Sequence, residues 1–177
     1  ELNFHNYLRY VKQIIGFKEE VDLNILEKEF IDYAFTSKMV SDVREFLDYV
    51  EKLGIDIYIL SNSCFTRQAL IYELSKVGIH SYFKEVFSSA DYLMRKPNKL
   101  FFNIITKYFN RLDNSINIKD IWYIGNDYKY DVTGSLNAGM TCIWLNRLNE
   151  ENKNNYPCIE VKNYMELVDY MRSIKDE

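Results

Sequence analysis

Short apolar segments alternate with longer amphipathic ones from residue 55 to the end of the chain. The segment IDIYIL at 55–60 has the length and composition of a strand that is buried on both faces. IWYI at 121–124 is predicted as a further buried strand, and TCIWL at 141–145 as another strand. The intervening segments have helical spacing. Because this alternation requires a crossover between successive strands, it predicts an α/β fold with a doubly wound parallel sheet.

The first 53 residues contain no segment of this strand type. Apolar side chains recur at helical spacing in NYLRYVKQII, in DLNILEKEFIDYAF and in VREFLDYV. Gly16 and Gly54 stand where the first and the last of these helices would end. We therefore predict a small helical cap over about residues 1–38 and an α/β core over residues 39–177.

Charge and cysteine content limit the classes of partner. The net charge is −4, and the basic residues form no stripe, so the sequence does not favour a nucleic-acid partner. The sequence contains no run of about 18 apolar residues and therefore does not predict a membrane span. The three cysteines are an odd number without metal-site spacing, which favours reduced thiols and a cytoplasmic location. Nothing in the sequence indicates the oligomeric state.

Polar side chains follow two of the predicted strands and precede one predicted helix. Ligands of a doubly wound sheet bind beyond the carboxyl ends of its strands. A hydroxyl, an ammonium group and two carboxylates at one such edge would suit a phosphate together with Mg²⁺, which prefers oxygen ligands. The candidates are Ser61 and Asn62 after the first strand, Lys96 before the helix, and Asp127 and Asp131 after IWYI.

Each of these residues also has a purely structural interpretation. A Ser-Asn pair after a strand is more often a turn or a helix cap, and a lysine before proline usually lies on the surface. Asp127 and Asp131 could cap the following helix and interact with its dipole. Their order and their placement at predicted strand ends favour a site. Cys64 with His80 is a weaker nucleophile–base candidate, because no third orienting group is evident.

The segments YILSNS, RKPNKLFF and WYIGNDYKYDVTGSLNAGM, in this order, resemble motifs two, three and four of the haloacid dehalogenase-like hydrolase superfamily. The resemblance covers roughly Ile55 to Leu145, and the helical N-terminus resembles the C1-type cap of that superfamily. It implies a Rossmann-like core and a Mg²⁺-dependent phosphohydrolase that acts on a small phosphorylated metabolite. By resemblance, Ser61 and Asn62 bind the phosphoryl group, Lys96 stabilises charge, and the acids after YIG bind Mg²⁺.

The fourth motif departs locally from the family pattern. Family members commonly have aspartate directly after the glycine, whereas this chain has Asn126 there and Asp127 one residue later. Either Asp127 reaches the metal or Asn126 is a neutral ligand. We favour Asp127, because a carboxylate binds Mg²⁺ more strongly than an amide does.

The first motif of the family is absent from the 177 residues. In relatives it is an apolar strand ending in Asp-x-Asp, whose first aspartate forms an aspartyl-phosphate and whose second is the general acid and base. The resemblance places this strand upstream of Glu1 in sequence, and between the strands at 55–60 and 121–124 in the sheet. The chain alone would then be inactive.

Two alternatives remain open at this point. A direct pairing of those two strands would favour a catalytically inactive relative or an interaction module that keeps the fold. A phosphomutase or a dehalogenase would keep the fold with different chemistry. The metal-type acids argue against a dehalogenase, which needs no Mg²⁺.

Overall fold

The computed structural model describes residues 3–175, which form helices and parallel strands in alternation. This confirms the predicted α/β class. The strands are β1 (Ile57–Ser61), β2 (Phe83–Ser88), β3 (Trp122–Gly125), β4 (Thr141–Leu145) and β5 (Ile159–Val161). The helices are α1 (Phe4–Ile14), α2 (Leu23–Ala34), α3 (Val43–Lys52), α4 (Arg67–Lys76), α5 (Ser89–Tyr92), α6 (Lys99–Leu112), α7 (Thr133–Ala138) and α8 (Tyr164–Ser173).

The chain divides into two compact units. The first comprises Glu1–Val40 and Gly54–Arg95, and the second comprises Ser41–Leu53 and Lys96–Glu177. The boundary near residue 38 between a cap and a core remains a prediction. Within residues 3–175, none of the helices is long and apolar enough to span a lipid bilayer.

The first unit contains the helices α1, α2, α4 and α5 and a two-stranded parallel sheet. β1 pairs with β2, and Ser61 at the end of β1 lies opposite Ser88. A buried carboxylate, that of Glu27 on α2, joins the helical elements. It accepts hydrogen bonds from the amide and the hydroxyl of Thr66, the N-cap of α4, and lies 3.1 Å from Nε2 of His5 on α1.

The second unit is a three-stranded parallel sheet in the order β3-β4-β5. Asp42 at the start of α3 accepts a 2.6 Å hydrogen bond from the amide of Tyr164 at the start of α8, which brings residues 41–53 into this unit. A Cβ atom at Gly134 of α7 would lie 2.4 Å from the ring of Phe102 on α6, so glycine permits the close packing of these helices. The largest fully buried side chains here are Trp144, Phe101, Phe102, Leu47, Ile143 and Leu167.

Burial separates the predicted strands into two groups. β4 has four buried residues, 142–145, as is typical of a strand with pairing strands on both sides. In β1 only Leu60 is buried, and β3 has no buried residue. The expectation of burial on both faces is therefore wrong for β1, and the expectation of a buried strand is wrong for β3. The physical reason is their position: each is an edge strand among the described residues, with a pairing strand on one side only.

Element boundaries differ from the sequence-based expectation by a few residues. The first strand is found at 57–61 instead of 55–60. The helix expected at 130–138 begins as a π-type turn, Tyr128–Val132, and continues as α7. Asp131 lies within this π-type turn.

Candidate active site

The loop after β3 places two carboxylates in different environments. β3 ends at Gly125, and Asn126 and Asp127 follow it directly. Asp127 caps the π-type turn, because its Oδ1 accepts a 2.7 Å hydrogen bond from the amide of Tyr130. Asp127 is half-buried and Asn126 is exposed. The predicted helix-capping role of Asp127 is thus observed, and it occupies one of the two carboxylate oxygens.

Asp131 is buried, with 5% of its surface exposed, and its carboxylate accepts four hydrogen bonds. Oδ2 accepts from the amides of Asn126 (3.1 Å) and Asp127 (3.0 Å). Oδ1 accepts from Nζ of Lys96 (2.6 Å) and from the hydroxyl of Tyr123 (3.0 Å). A carboxylate offers about four acceptor positions, so this one has none left over. Asp131 therefore holds the loop and the lysine, and a direct bond to a metal would require it to release one of them.

Gly125 allows Asp131 to approach the end of β3. A Cβ atom at this position would lie 2.3 Å from Cβ of Asp131 and 2.6 Å from its Oδ2. Real Cβ contacts are never this short, so a side chain here would displace the carboxylate. The glycine of YIG was recognised in the sequence by its place in a motif, and the structure gives its steric reason.

Lys96 lies inside the second unit, with 11% of its side chain exposed. Its ammonium group forms an ion pair with Asp131 and also donates a 3.0 Å hydrogen bond to the hydroxyl of Tyr123. Burial and the nearby negative charge of Asp131 hold the pKa of Tyr123 well above its usual value, so the phenol stays protonated and donates to the carboxylate. The surface interpretation of Lys96 is therefore wrong.

Tyr123 is a site residue that sequence reasoning missed. Within IWYI it counted only as an apolar strand residue, and its one distinguishing signal was a polar tip two positions before Gly125. Its ring also packs against Phe102 at 5.1 Å, which fixes the direction of the hydroxyl. The hydroxyl of Tyr123 therefore contacts both the ammonium group of Lys96 and the carboxylate of Asp131.

Few oxygens of the loop remain for a metal ion. The carbonyl oxygen of Asn126 is occupied, because it accepts a 3.2 Å hydrogen bond from Nε1 of Trp144. The amides of Asn126 and Asp127 donate to Asp131, which fixes the backbone of the loop. Among residues 3–175, the loop oxygens without a protein partner are the side-chain oxygen of Asn126 and Oδ2 of Asp127. These are hard ligands of the type that Mg²⁺ binds together with water and substrate oxygens.

The described part of the chain contains no group of three or more His, Cys, Asp or Glu side chains arranged for a metal. Two side-chain oxygens fit a Mg²⁺ ion that keeps several waters, and they do not form a complete protein cage. Further ligands would come from water, from the substrate or from residues outside this range.

Ser61 and Asn62 lie in the first unit, at the end of β1. The loop that follows is held by two buried serines of the next strand and helix. Ser89 accepts from the amide of Ser63 at 3.0 Å and donates to its carbonyl at 2.8 Å, and Ser88 donates to the carbonyl of Phe65. The loop is therefore well defined, while its position relative to Lys96, in the other unit, stays a prediction.

Cys64 does not have the properties of an activated nucleophile. Burial raises the pKa of its thiol, and the charge of Glu27 raises it further. The thiolate is thus disfavoured at neutral pH. This agrees with the low weight given to Cys64 on sequence grounds.

The sequence pattern of the family described as haloacid dehalogenase-like hydrolase matches residues 2–145. A curated relative from Streptococcus pneumoniae, named pyrimidine 5'-nucleotidase PynA, is 27% identical over 163 residues. That alignment covers 91% of this chain and 66% of the relative. The chain therefore spans slightly less than two thirds of the length of this relative.

Solved structures with the same fold carry different descriptions. A HAD phosphatase from Thermococcus onnurineus aligns with a TM-score of 0.69 at 18% identity, covering 92% of this chain and 69% of that one. The putative HAD-hydrolase YfnB from Bacillus subtilis, bound to magnesium, gives 0.68 at 21% identity with the same coverage. A dehalogenase gives 0.65 at 14% identity, covering 94% of this chain and 79% of that one.

Proposed function

The chain belongs to the haloacid dehalogenase-like hydrolases, and we propose that it forms most of a Mg²⁺-dependent phosphohydrolase for a small phosphorylated metabolite. The observation that carries this proposal is the buried ion pair of Lys96 and Asp131 beyond the end of β3. Asp131 also holds the amide of Asp127, whose carboxylate has only one oxygen hydrogen-bonded to the protein. A buried ammonium group that is held in place by hydrogen bonds to a carboxylate and a phenol is suited to stabilising phosphoryl charge.

In the proposed mechanism each residue has one task. The ammonium group of Lys96 stabilises charge on the phosphoryl group and on the nucleophile, and Ser61 and Asn62 donate hydrogen bonds to phosphoryl oxygens. Asp131 and Tyr123 hold Lys96 in place. The nucleophile is an aspartate outside these 177 residues, and it forms an aspartyl-phosphate that water then hydrolyses. Mg²⁺, when bound, would neutralise charge on the phosphate oxygens.

The metal ligand in this proposal is Asp127, through its Oδ2. Asn126 is the alternative ligand, with a neutral oxygen that binds Mg²⁺ more weakly. Asp131 contributes indirectly, because its oxygens are already occupied by four donors. This refines the expectation that both acids bind the metal.

A nucleoside 5'-monophosphate is the first substrate class to test. The support is the name of the Streptococcus pneumoniae relative, a pyrimidine 5'-nucleotidase at 27% identity. A dehalogenase of this fold also exists, but a second carboxylate, that of Asp127, in the loop held by the partner of a buried lysine favours phosphoryl chemistry. The main alternative to a phosphohydrolase is a catalytically inactive relative with the same fold. The cytoplasmic location is a separate prediction from the sequence.

Replacing Asp127 with asparagine in the full-length protein should raise the Mg²⁺ concentration for half-maximal activity at least ~10-fold, since even outer-shell changes at metal sites cost that much. The measurement is hydrolysis of p-nitrophenyl phosphate and of pyrimidine 5'-monophosphates over a Mg²⁺ titration. The control is Asn126→Ala, which should have the smaller effect. An unchanged titration for Asp127→Asn combined with a large effect of Asn126→Ala would move the metal to Asn126.

Replacing Lys96 with alanine should lower kcat roughly 10²-fold, the usual loss when one preorganised charged group is removed from a transition state. Lys129, an exposed lysine in the neighbouring turn, provides the matched control. Its replacement by alanine removes the same charge and should leave kcat unchanged. Wild-type kcat for folded Lys96→Ala protein would refute the catalytic role.

A further inference from the structure

The indole of Trp144 reaches the loop that holds the candidate metal ligands. Trp144 is fully buried on β4 and lies opposite Gly125, the last residue of β3. Its Nε1 donates a 3.2 Å hydrogen bond to the carbonyl of Asn126. A buried tryptophan usually finds a partner for its N–H. Here the partner is the carbonyl of the peptide that separates Asn126 from Asp127.

The same peptide group is held at its other polar atom. Its N–H, that of Asp127, donates to Oδ2 of Asp131 at 3.0 Å. Two buried side chains thus fix one peptide, with the carbonyl bonded to an indole and the amide bonded to a carboxylate. A rotation of this peptide would break both bonds, and it would also redirect the side chains on either side of it.

Aromatic packing keeps the indole in position. The ring of Tyr128 lies 5.0 Å from that of Trp144 and 5.5 Å from that of Tyr156. The hydroxyl of Tyr128 donates to Oδ1 of Asn152 at 2.9 Å and accepts from the amide of Asn154 at 3.0 Å. The polar segment 146–158 is therefore attached to the turn after β3 and packs beside Trp144.

We propose that Trp144 is a positioning residue for the metal site. Its N–H fixes the Asn126–Asp127 peptide, so that the side-chain oxygens of both residues are presented to Mg²⁺ without further ordering. Preorganisation of this kind increases affinity by reducing the cost of ordering on binding. The inference rests on the proposed placement of the metal at these two residues.

The test uses Trp144→Phe in the full-length protein, which keeps an aromatic ring and removes the N–H donor. Trp122→Phe on β3 is the matched control, because Trp122 is half-buried and packs against Tyr170 instead. Mn²⁺ binding, followed by electron paramagnetic resonance, should weaken about 10-fold in Trp144→Phe. It should not change in Trp122→Phe. Turnover of Trp144→Phe should recover to the wild-type value at saturating Mg²⁺, which general loss of structure would not allow.

A second measurement covers the case in which Trp144→Phe does not fold. Protein labelled with 5-fluorotryptophan should show a shift of the Trp144 ¹⁹F resonance when Mg²⁺ is added, because the bound charge polarises the peptide whose carbonyl accepts from the indole. The Trp122 resonance should be unchanged. An unmoved Trp144 resonance at saturating Mg²⁺ would overturn the inference.

The outcomes for the metal placement and for Trp144 are separable. Unchanged Mn²⁺ binding in both Asp127→Asn and Asn126→Ala would refute the placement of the metal. Weaker binding in either of them, with wild-type binding in folded Trp144→Phe, would refute only the role of Trp144.

Discussion

Replacing Asp131 with alanine is expected to lower the free energy of unfolding by about 3–5 kcal/mol, the usual cost of removing one partner from a buried ion pair. Only 11% of the Lys96 side chain and 7% of the Asp131 side chain are exposed, so water cannot readily replace the lost carboxylate. The change would also leave the amides of Asn126 and Asp127 without their acceptor. Urea unfolding of the purified protein measures the effect.

Two controls identify the cause of that loss. Asp113 is an exposed aspartate that accepts hydrogen bonds from Ser115. Its replacement by alanine should lower the free energy of unfolding by at most about 1 kcal/mol, as is usual for a surface group. The double variant Lys96→Met with Asp131→Ala should be more stable than the sum of the two single changes predicts, because it buries no unpaired charge. Strict additivity would show that the two residues do not form a coupled pair.

The sequence was sufficient to predict the α/β alternation and the polar residues that follow β1 and β3. Strand composition and helical spacing are local signals, and Gly125, Asp127 and Asp131 stand within seven residues of one another. The role of Asp131 was not predictable in this way. Its partner Lys96 lies 35 positions away, and the saturation of its oxygens depends on distances that only the folded chain defines.

Tyr123 and Trp144 show a second limit of sequence reasoning. Both stand in apolar strand segments, where an aromatic residue predicts packing and nothing more. Their polar atoms acquire a role only because adjacent strands place them beside the loop after β3. The burial of β1 and β3 was mispredicted for a related reason, since composition indicates a buried strand but does not indicate which strand lies beside it.

The 177-residue chain alone is expected to show no phosphatase activity. Its sequence contains no Asp-x-Asp motif, from which the proposed mechanism would take its nucleophile. In addition, no strand within residues 3–175 pairs with the second edge of β1 or of β3. Both edge strands carry apolar side chains that are only half-buried, as at Ile59 and Trp122. Natural proteins rarely leave apolar edges of this kind unpaired, so a strand from outside these residues is expected to cover them.

Comparison of this chain with the product of the complete gene tests the expectation. With Mg²⁺ and p-nitrophenyl phosphate, the complete product should be active, whereas the chain should show no turnover above background. Backbone amides of β1 and β3 should exchange with deuterium faster in the chain than in the complete product, while those of β4, already paired on both sides, should change less. Turnover by the chain alone would contradict the prediction. A complete product with no Asp-x-Asp strand and equally fast exchange at both edges would instead favour the inactive relative.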